Sequence, residues 1–219
     1  MVAKLTQTRE DATSYETFGE FSFTLPMGSY TMVALAYKTS ENTSFSLTSP
    51  TAAAFIGDHV YETFASTQAV DIDNTSAVDV GAVLNRIVSK LEVHSSDGRT
   101  ANVTNIRMIF SAGAKAFNPT SGLATSDTGF SNVVPISAEA GATSNSVSYI
   151  FLTTDEQEID VTIESLDADG NTLFSKTVPN VPFKRNRKTI LTGSLYTNDA
   201  VKGSFQVETA WHNDTNAHF

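Results

Sequence analysis

Apolar and polar residues alternate along much of this chain, most clearly between Ser146 and Trp211. Ser148-Tyr149-Ile150-Phe151-Leu152 is a short apolar run. Ile159, Val161 and Ile163 then alternate with Asp160, Thr162 and Glu164, giving a strand with one apolar and one wet face. Asp167-Ala168-Asp169-Gly170-Asn171 predicts a turn, because Asp and Asn satisfy backbone groups locally and Gly accepts positive φ. Leu173 to Val178 returns as a strand, and a proline-bracketed turn is expected at Pro179 and Pro182. Thr189 to Leu195 and Phe205 to Trp211 read as two further strands. An antiparallel sheet with one apolar face has to bury it against a second layer.

The same pattern runs through the first half. Residues 1–17 are polar with little periodicity and read as an arm, or as an edge strand that exchanges with a neighbour. Phe21-Ser22-Phe23-Thr24-Leu25 alternates cleanly, Pro26-Met27-Gly28-Ser29 turns, and Tyr30 to Tyr37 returns. Ser44 to Thr48 reads as a short strand, and Ala52 to Phe64 as the stretch best suited to a helical turn. Ala69 to Ile72 and Val78 to Leu84 are expected strands around the turn Asp73-Asn74-Thr75-Ser76. Ile87 to Val93 alternates, with Ile87, Ser89, Leu91 and Val93 on one face and Val88, Lys90 and Glu92 on the other. Arg86 and Lys90 are expected on a sheet surface or rim beside acidic neighbours. Ser96-Asp97-Gly98 predicts a hairpin before the strand Val103 to Phe110. Residues 111–145 are rich in Gly, Ala, Ser, Asn and Pro, with Phe130 to Ile136 as their one patterned strand; a loop of this length is unusual inside a compact domain. The whole amounts to roughly ten to twelve strands.

Composition supports this reading. Of 219 residues 40% are hydrophobic and only 17% charged, so much of the surface must be Ser, Thr, Asn and Gly. Val, Ile, Thr, Phe and Tyr are frequent, which suits strands rather than helices or disorder. The formal net charge is -10, with the acidic residues spread over both halves, a balance that disfavours a nucleic-acid backbone as partner. Cysteine is absent, which removes thiol chemistry, disulfides and Cys-based zinc sites. No run reaches the roughly 20 apolar residues needed to span a bilayer. The opening Met1 to Gln7 lacks the apolar core of a signal peptide, as in a protein that is not exported or in a mature or trimmed segment.

Few residues suggest chemistry. Asp167-x-Asp169-Gly170-Asn171 superficially matches a calcium loop, but its glycine comes too early and Val178 stands where the bidentate carboxylate belongs. A hairpin turn is the better account. Asp155-Glu156-Gln157-Glu158 with Asp160 forms an acidic strand end, and Lys184-Arg185-Asn186-Arg187-Lys188 concentrates four of the chain's 14 basic residues. The basic run reads as a solvated turn, or as a patch for phosphate, glycan, carboxylate or an acidic neighbouring subunit. His59, His94, His212 and His218 lack metal-ligand spacing, and Gly-x-Ser-x-Gly, P-loop and Gly-x-Gly-x-x-Gly motifs are missing. Trp211 is expected as a core or corner anchor. No catalytic, cofactor-binding or metal-ligating residue is assigned, no cofactor is expected, and the chain is read as a non-enzyme.

Several segments taken together are similar to a known family. Leu25-Pro26-Met27-Gly28-Ser29-Tyr30, the strand Leu84-Asn85-Arg86-Ile87-Val88-Ser89-Lys90-Leu91-Glu92-Val93, and Val181-Pro182-Phe183-Lys184-Arg185-Asn186-Arg187-Lys188-Thr189-Ile190-Leu191-Thr192-Gly193 resemble the fimbrillin-like proteins of Bacteroidales bacteria. The similarity runs from about Phe21 to Trp211. It implies an all-β, antiparallel Greek-key β-sandwich of the transthyretin-like kind, as one or two packed sandwiches. It further implies an exported surface lipoprotein, trimmed by an arginine-specific protease and completed by a strand from a neighbour. The lipobox cysteine of that family has no counterpart here.

The expected organisation is an N-terminal sandwich over 18–115 and a C-terminal one over 116–219, or one extended domain over 18–219. The expected role is a structural or anchoring subunit of surface fimbriae, assembled by strand addition and contributing to adhesion. Its partners would be other fimbrial subunits or surface proteins, with a glycan or host-surface ligand as a further candidate, and with neither nucleic acid nor a direct transmembrane segment. The alternative is a carbohydrate-binding or adhesin module presenting Tyr15, Phe18, Tyr61 and Phe64 in one shallow patch. A secreted hydrolase would instead need Asp, Glu or His gathered in a cleft.

Overall fold

The computed structural model describes residues 1–8, 18–197 and the backbone of 206–210. In chain order the first strands are β1 (Gly28–Tyr37), β2 (Thr43–Ser49), β3 (Ala52–Gly57), β4 (Thr63–Ile72), β5 (Asn85–Arg86), β6 (Ser89–Ser95) and β7 (Asn105–Phe110). They are followed by β8 (Ala116–Asn118), β9 (Leu123–Ala124), β10 (Phe130–Pro135), β11 (Asn145–Ile150), β12 (Glu156–Leu166), β13 (Thr172–Lys184), β14 (Lys188–Gly193) and β15 (Gln206–Ala210). No helix occurs among the described residues. The fold is all-β and sandwich-like, consistent with a transthyretin-like Greek key.

Among the described residues four sheets form two layered bodies. In the larger, the sheet β10-β7-β12-β13 lies against the sheet β11-β6-β14-β15. Ile106, Met108, Phe110, Ile159, Val161 and Ile163 from the first meet Leu91, Val93 and Leu191 from the second. The inward residues are those that the alternation marks. The smaller body joins the sheet β1-β4-β5 to the sheet β2-β3-β8-β9 around Phe55, Ala65, Ile87, Val88, Phe117 and Phe151. Every described pairing is antiparallel except β14 with β6.

The two cores meet at a stretch of chain buried on both sides. Ile150 and Leu152 enter the larger core, while Phe151 between them turns into the smaller. There its ring stacks on Phe117 with centroids 4.1 Å apart, and lies 6.2 Å from Phe55. Successive side chains of an extended chain point in opposite directions, so a continuous apolar run is what a doubly buried segment requires. Opposite this point Gly113 adopts φ +72, and a Cβ on it would meet Ile150 Cδ1 at 2.6 Å. The excursion that leaves β7 here closes on itself through the Gly129 N–H donating to the Gly113 carbonyl at 2.9 Å.

Several sequence expectations are corrected. Ala52–Phe64 is not helical: β3, a loop and the start of β4 occupy it. Alanine favours helix intrinsically, but Ala53 and Phe55 are buried at strand spacing and Phe55 pairs with Phe45, so packing overrides propensity. Ser96-Asp97-Gly98 does not close a hairpin, because β6 and β7 belong to opposite sheets. The Asp97 carboxylate there accepts the N–H groups of Leu195 (2.8 Å) and Tyr196 (2.9 Å), tying the crossover to the end of β14. The stretch from Ser146 onward does not make one sheet either, since β11, β14 and β15 lie in one layer and β12 and β13 in the other.

Pro179 and Pro182 do not end a strand. β13 runs through both, with a register shift opposite Asp160, whose carboxylate accepts the Asn180 N–H at 2.8 Å. β13 is an edge strand among the described residues, so the missing proline N–H groups interrupt no ladder on its outer side. Within 111–145 the loop-like composition hides the hairpin β8–β9, which adds to β3 through Ala53 and Phe117. Phe21–Leu25 and Val78–Leu84 read as strands but join no sheet among the described residues. The arm expected at 1–17 falls partly outside the described residues, as do Tyr15, Trp211, His212 and His218; Gln7 bonds the backbone of Gly19 and Glu20.

Replacing Phe151 by Ala is expected to cost about 3–5 kcal/mol of stability, as for a fully buried aromatic ring. Chemical denaturation checks this, with Phe21→Ala, on an exposed side chain, expected to change stability by less than about 0.5 kcal/mol.

Candidate functional site

The charged clusters neutralise one another. β12 and β13 pair so that Glu156 faces Lys184, which sets the acidic strand end beside the basic run. Lys184 bonds Glu156, and Arg185 reaches Asp155 at 2.7 Å. Arg86 donates to Glu62 at 2.7 Å and to the Asn186 side chain at 3.0 Å, with its guanidinium 5.0 Å from the centre of the Phe64 ring. Lys188 meets Glu92 at 3.2 Å. Lys184, Arg185 and Lys188 of the basic run thus meet carboxylates of this chain, and Arg187 Nη1 donates to the Asn186 carbonyl at 3.2 Å.

Glu92 is the most enclosed of these carboxylates. It stands on β6 between Lys90 (2.7 Å) and Lys188 (3.2 Å), with His94 Nε2 at 3.3 Å. Parallel pairing of β14 with β6 sets Lys188 directly beside Lys90, and the carboxylate separates two like charges. Burial pushes the Glu92 carboxyl up, but the hydrogen bonds and charges of Lys90 and Lys188 outweigh it and hold the group below the usual carboxylate range.

The Asp167 turn is closed by the chain itself. One carboxylate oxygen accepts the N–H groups of Asp169 (3.0 Å) and Asn171 (2.8 Å), and the other accepts the Asn171 side-chain amide at 3.0 Å. The bonds from Asn171 lead in holding the Asp167 carboxyl below its ordinary range. Gly170 supplies φ +83. No group of three or more His, Asp or Glu able to hold a metal occurs among the described residues. His59 lies beside Tyr61, ring centroids 6.0 Å apart.

Of the aromatic residues expected in a glycan patch, Tyr15 lies outside the described residues, and Tyr61 and Phe64 are directed to different surroundings. Tyr61 packs toward Phe55 in the smaller core, Phe64 sits on the other face of β4 under Arg86, and Phe18 is exposed on the segment before β1. What the structure does assemble is an open sheet. β1 spans ten residues, none fully buried, and pairs with β4 alone among the described residues. β4 pairs with β5 only at Phe64 and Ala65, so its outer edge from Ser66 to Ile72 carries no ladder. Two strand-patterned segments without a sheet belong to the same region: Phe21–Leu25 directly precedes β1, and Val78–Leu84 directly precedes β5. Phe21, Phe23, Val78 and Val83 are between 47% and 66% exposed. Backbone donors and acceptors on such edges are what a further strand would use. Nothing in the sequence signalled that β1 and β4 would be left with open edges, because edge and interior strands carry similar alternation.

Glu92→Gln leaves Lys90 and Lys188 side by side and is expected to cost about 1–3 kcal/mol at pH 7. A carboxyl whose folded pKa is depressed contributes fully above its unfolded pKa, about 4.3 for Glu, and loses that contribution as pH falls through the folded value. Urea unfolding from pH 7 to pH 3 should therefore show the two proteins converging in acid; a constant gap would count against the ion-pair account.

Several solved structures are similar in shape. A candidate adhesin from Bacteroides ovatus is 10% identical with a TM-score of 0.49, over 71% of this chain and 66% of that one. A candidate cell adhesion protein from Bacteroides uniformis is 11% identical with a TM-score of 0.45, over 89% and 77%. The fimbrial anchor protein Mfa2 from Porphyromonas gingivalis is 11% identical with a TM-score of 0.41, over 84% and 74%. The chain thus spans about two thirds to three quarters of these proteins, and at such values the likeness carries no statement about activity or partners. A comparison with curated proteins finds no match. Residues 13–218 match the family described as "Family of unknown function (DUF6562)", and the chain belongs to that family.

Proposed function

We propose that this protein is a non-enzymatic subunit of a bacterial surface assembly, a structural or anchoring fimbrial subunit, that joins its neighbours by β-strand addition and contributes to adhesion. The observation that carries the reading is the open sheet β1-β4-β5, with its long unladdered edges beside two exposed strand-patterned segments. A strand laid along either edge gains main-chain hydrogen bonds, while alternate side chains meet the sheet. The sequence resemblance to fimbrillin-like proteins supports the same reading, as does a surface whose clustered charges are mutually paired rather than gathered around a cleft. On this proposal the chain works at the cell surface, with other subunits or surface proteins as partners. We also take the folding units to follow the two cores rather than one cut in the chain, because β6 and β7 precede residue 115 and pair with later strands, while β8 and β9 follow it and pair with β3.

A peptide of residues 18–27, containing Phe21–Leu25, is expected to form a stable complex with the protein and to slow amide exchange along the free edge of β1 or β4. Titration followed by hydrogen-exchange mass spectrometry reads both. Lack of uptake of this peptide and of peptides from the chain's other terminal segments would remove strand addition as the mode of assembly.

A further inference from the structure

Val78–Leu84 is held at both ends as though it were a strand. After β4 ends at Ile72, the chain reverses through residues 73–77, where the Asn74 side chain accepts the Ser76 N–H at 2.8 Å. At the far end β5 is antiparallel to β4, with Phe64 opposite Arg86 and Ala65 opposite Asn85. The Ile87 N–H continues that ladder by donating to the Thr63 carbonyl at 3.0 Å. Carried backward, this register sets Ser66 opposite Leu84, Val70 opposite Val80 and Ile72 opposite Val78, leaving a five-residue loop, an ordinary hairpin length. The intervening residues carry no ladder.

One contact shows how near the segment stands to that register. The Gln68 side-chain amide donates to the Gly81 carbonyl at 2.7 Å. In the extended ladder Gly81 lies opposite Ala69, and since Thr63 and Ala65 direct their backbone groups toward β5, so do Thr67, Ala69 and Asp71. The Gly81 carbonyl would then accept the Ala69 N–H. The glutamine side chain therefore holds the acceptor that the backbone of its neighbour would take. Closure also places apolar side chains in rows, because directly opposed residues share a face: Val80 beside Val70 and Tyr30, and Leu84 beside Ser66 and Ala34.

We infer that Val78–Leu84 is a strap that closes onto the outer edge of β4, in the register fixed by β5, and opens to uncover that edge. Its use as a guard against untimely strand addition rests on the function proposed above; its pairing does not. In the closed state the amides of Thr67, Ala69 and Asp71 are shielded, and in the open state they face solvent.

The chain has no cysteine, so an introduced pair reports cleanly. Val70 and Val80 fall at a non-hydrogen-bonded position, where side chains approach most closely. Under mild oxidation Val70→Cys with Val80→Cys is expected to cross-link at least about tenfold faster than Val70→Cys with Val83→Cys, which the register separates. Equal rates would overturn the inference. Independently, the amides of Thr67, Ala69 and Asp71 should exchange at least about tenfold slower than free-peptide amides, and Gly81→Pro, which removes a ladder donor, should abolish that protection. Free-peptide rates in the unaltered protein, or protection that survives Gly81→Pro, would overturn it as well. In-register cross-linking in a protein that never takes up an added strand upholds the strap and removes the strand-addition reading instead.

Discussion

The structure depends on Phe151 and its two neighbours facing opposite ways. Ile150 and Leu152 complete the larger core and Phe151 the smaller, where its ring stacks on Phe117. An extended chain can serve two cores in this way only if all of its side chains are apolar and both flanking layers are in place. Ile87 and Val88 enter the smaller core just before β6 carries Leu91 and Val93 into the larger. Two short stretches therefore join bodies that share no sheet.

Charge among the described residues is arranged by strand pairing. Strand pairing brings Glu156 opposite Lys184 and sets Lys188 beside Lys90, and the carboxylates of Asp155, Glu156 and Glu92 meet the cations that this register presents. Partly exposed pairs such as Arg185–Asp155 contribute little stability individually. Glu92 differs because it is enclosed and separates two lysines, so removing it exposes a repulsion as well as ending an attraction. Lys184, Arg185, Lys188, Asp155, Glu156 and Asp167, prominent in the sequence, each bond a neighbour within the fold.

What remains unspent is backbone. β1 and the outer part of β4 present ladder positions that no described strand occupies, in the sheet whose two faces are least covered. Edge strands are ordinarily shortened, charged or covered because they invite pairing. A protein that assembles by taking up strands needs such an edge, together with some means of keeping it from pairing at random. On the proposal and the inference above, the alternating segment beside β4, held at both ends and bridged by Gln68, would meet that requirement from within the same chain.

The alternation of apolar and polar residues by itself determined that the chain is all-β and which residues turn inward: Leu91 and Val93, Ile106 and Met108, Ile159, Val161 and Ile163 are all buried where the pattern puts them. It also marked the Asp167 turn, whose chemistry is local. Alternation has no memory of partners, however, and the pairing of β6 with β14, the split of β11 from β12, the passage of β13 through two prolines and the recruitment of β8 and β9 to β3 were decided only by tertiary structure. Intrinsic propensity likewise misread Ala52–Phe64, where burial beside Phe45 outweighs alanine's preference for helix. The candidate site was the least legible part, since an open edge is defined by a missing neighbour, and which neighbours are missing depends on contacts between residues far apart in the chain.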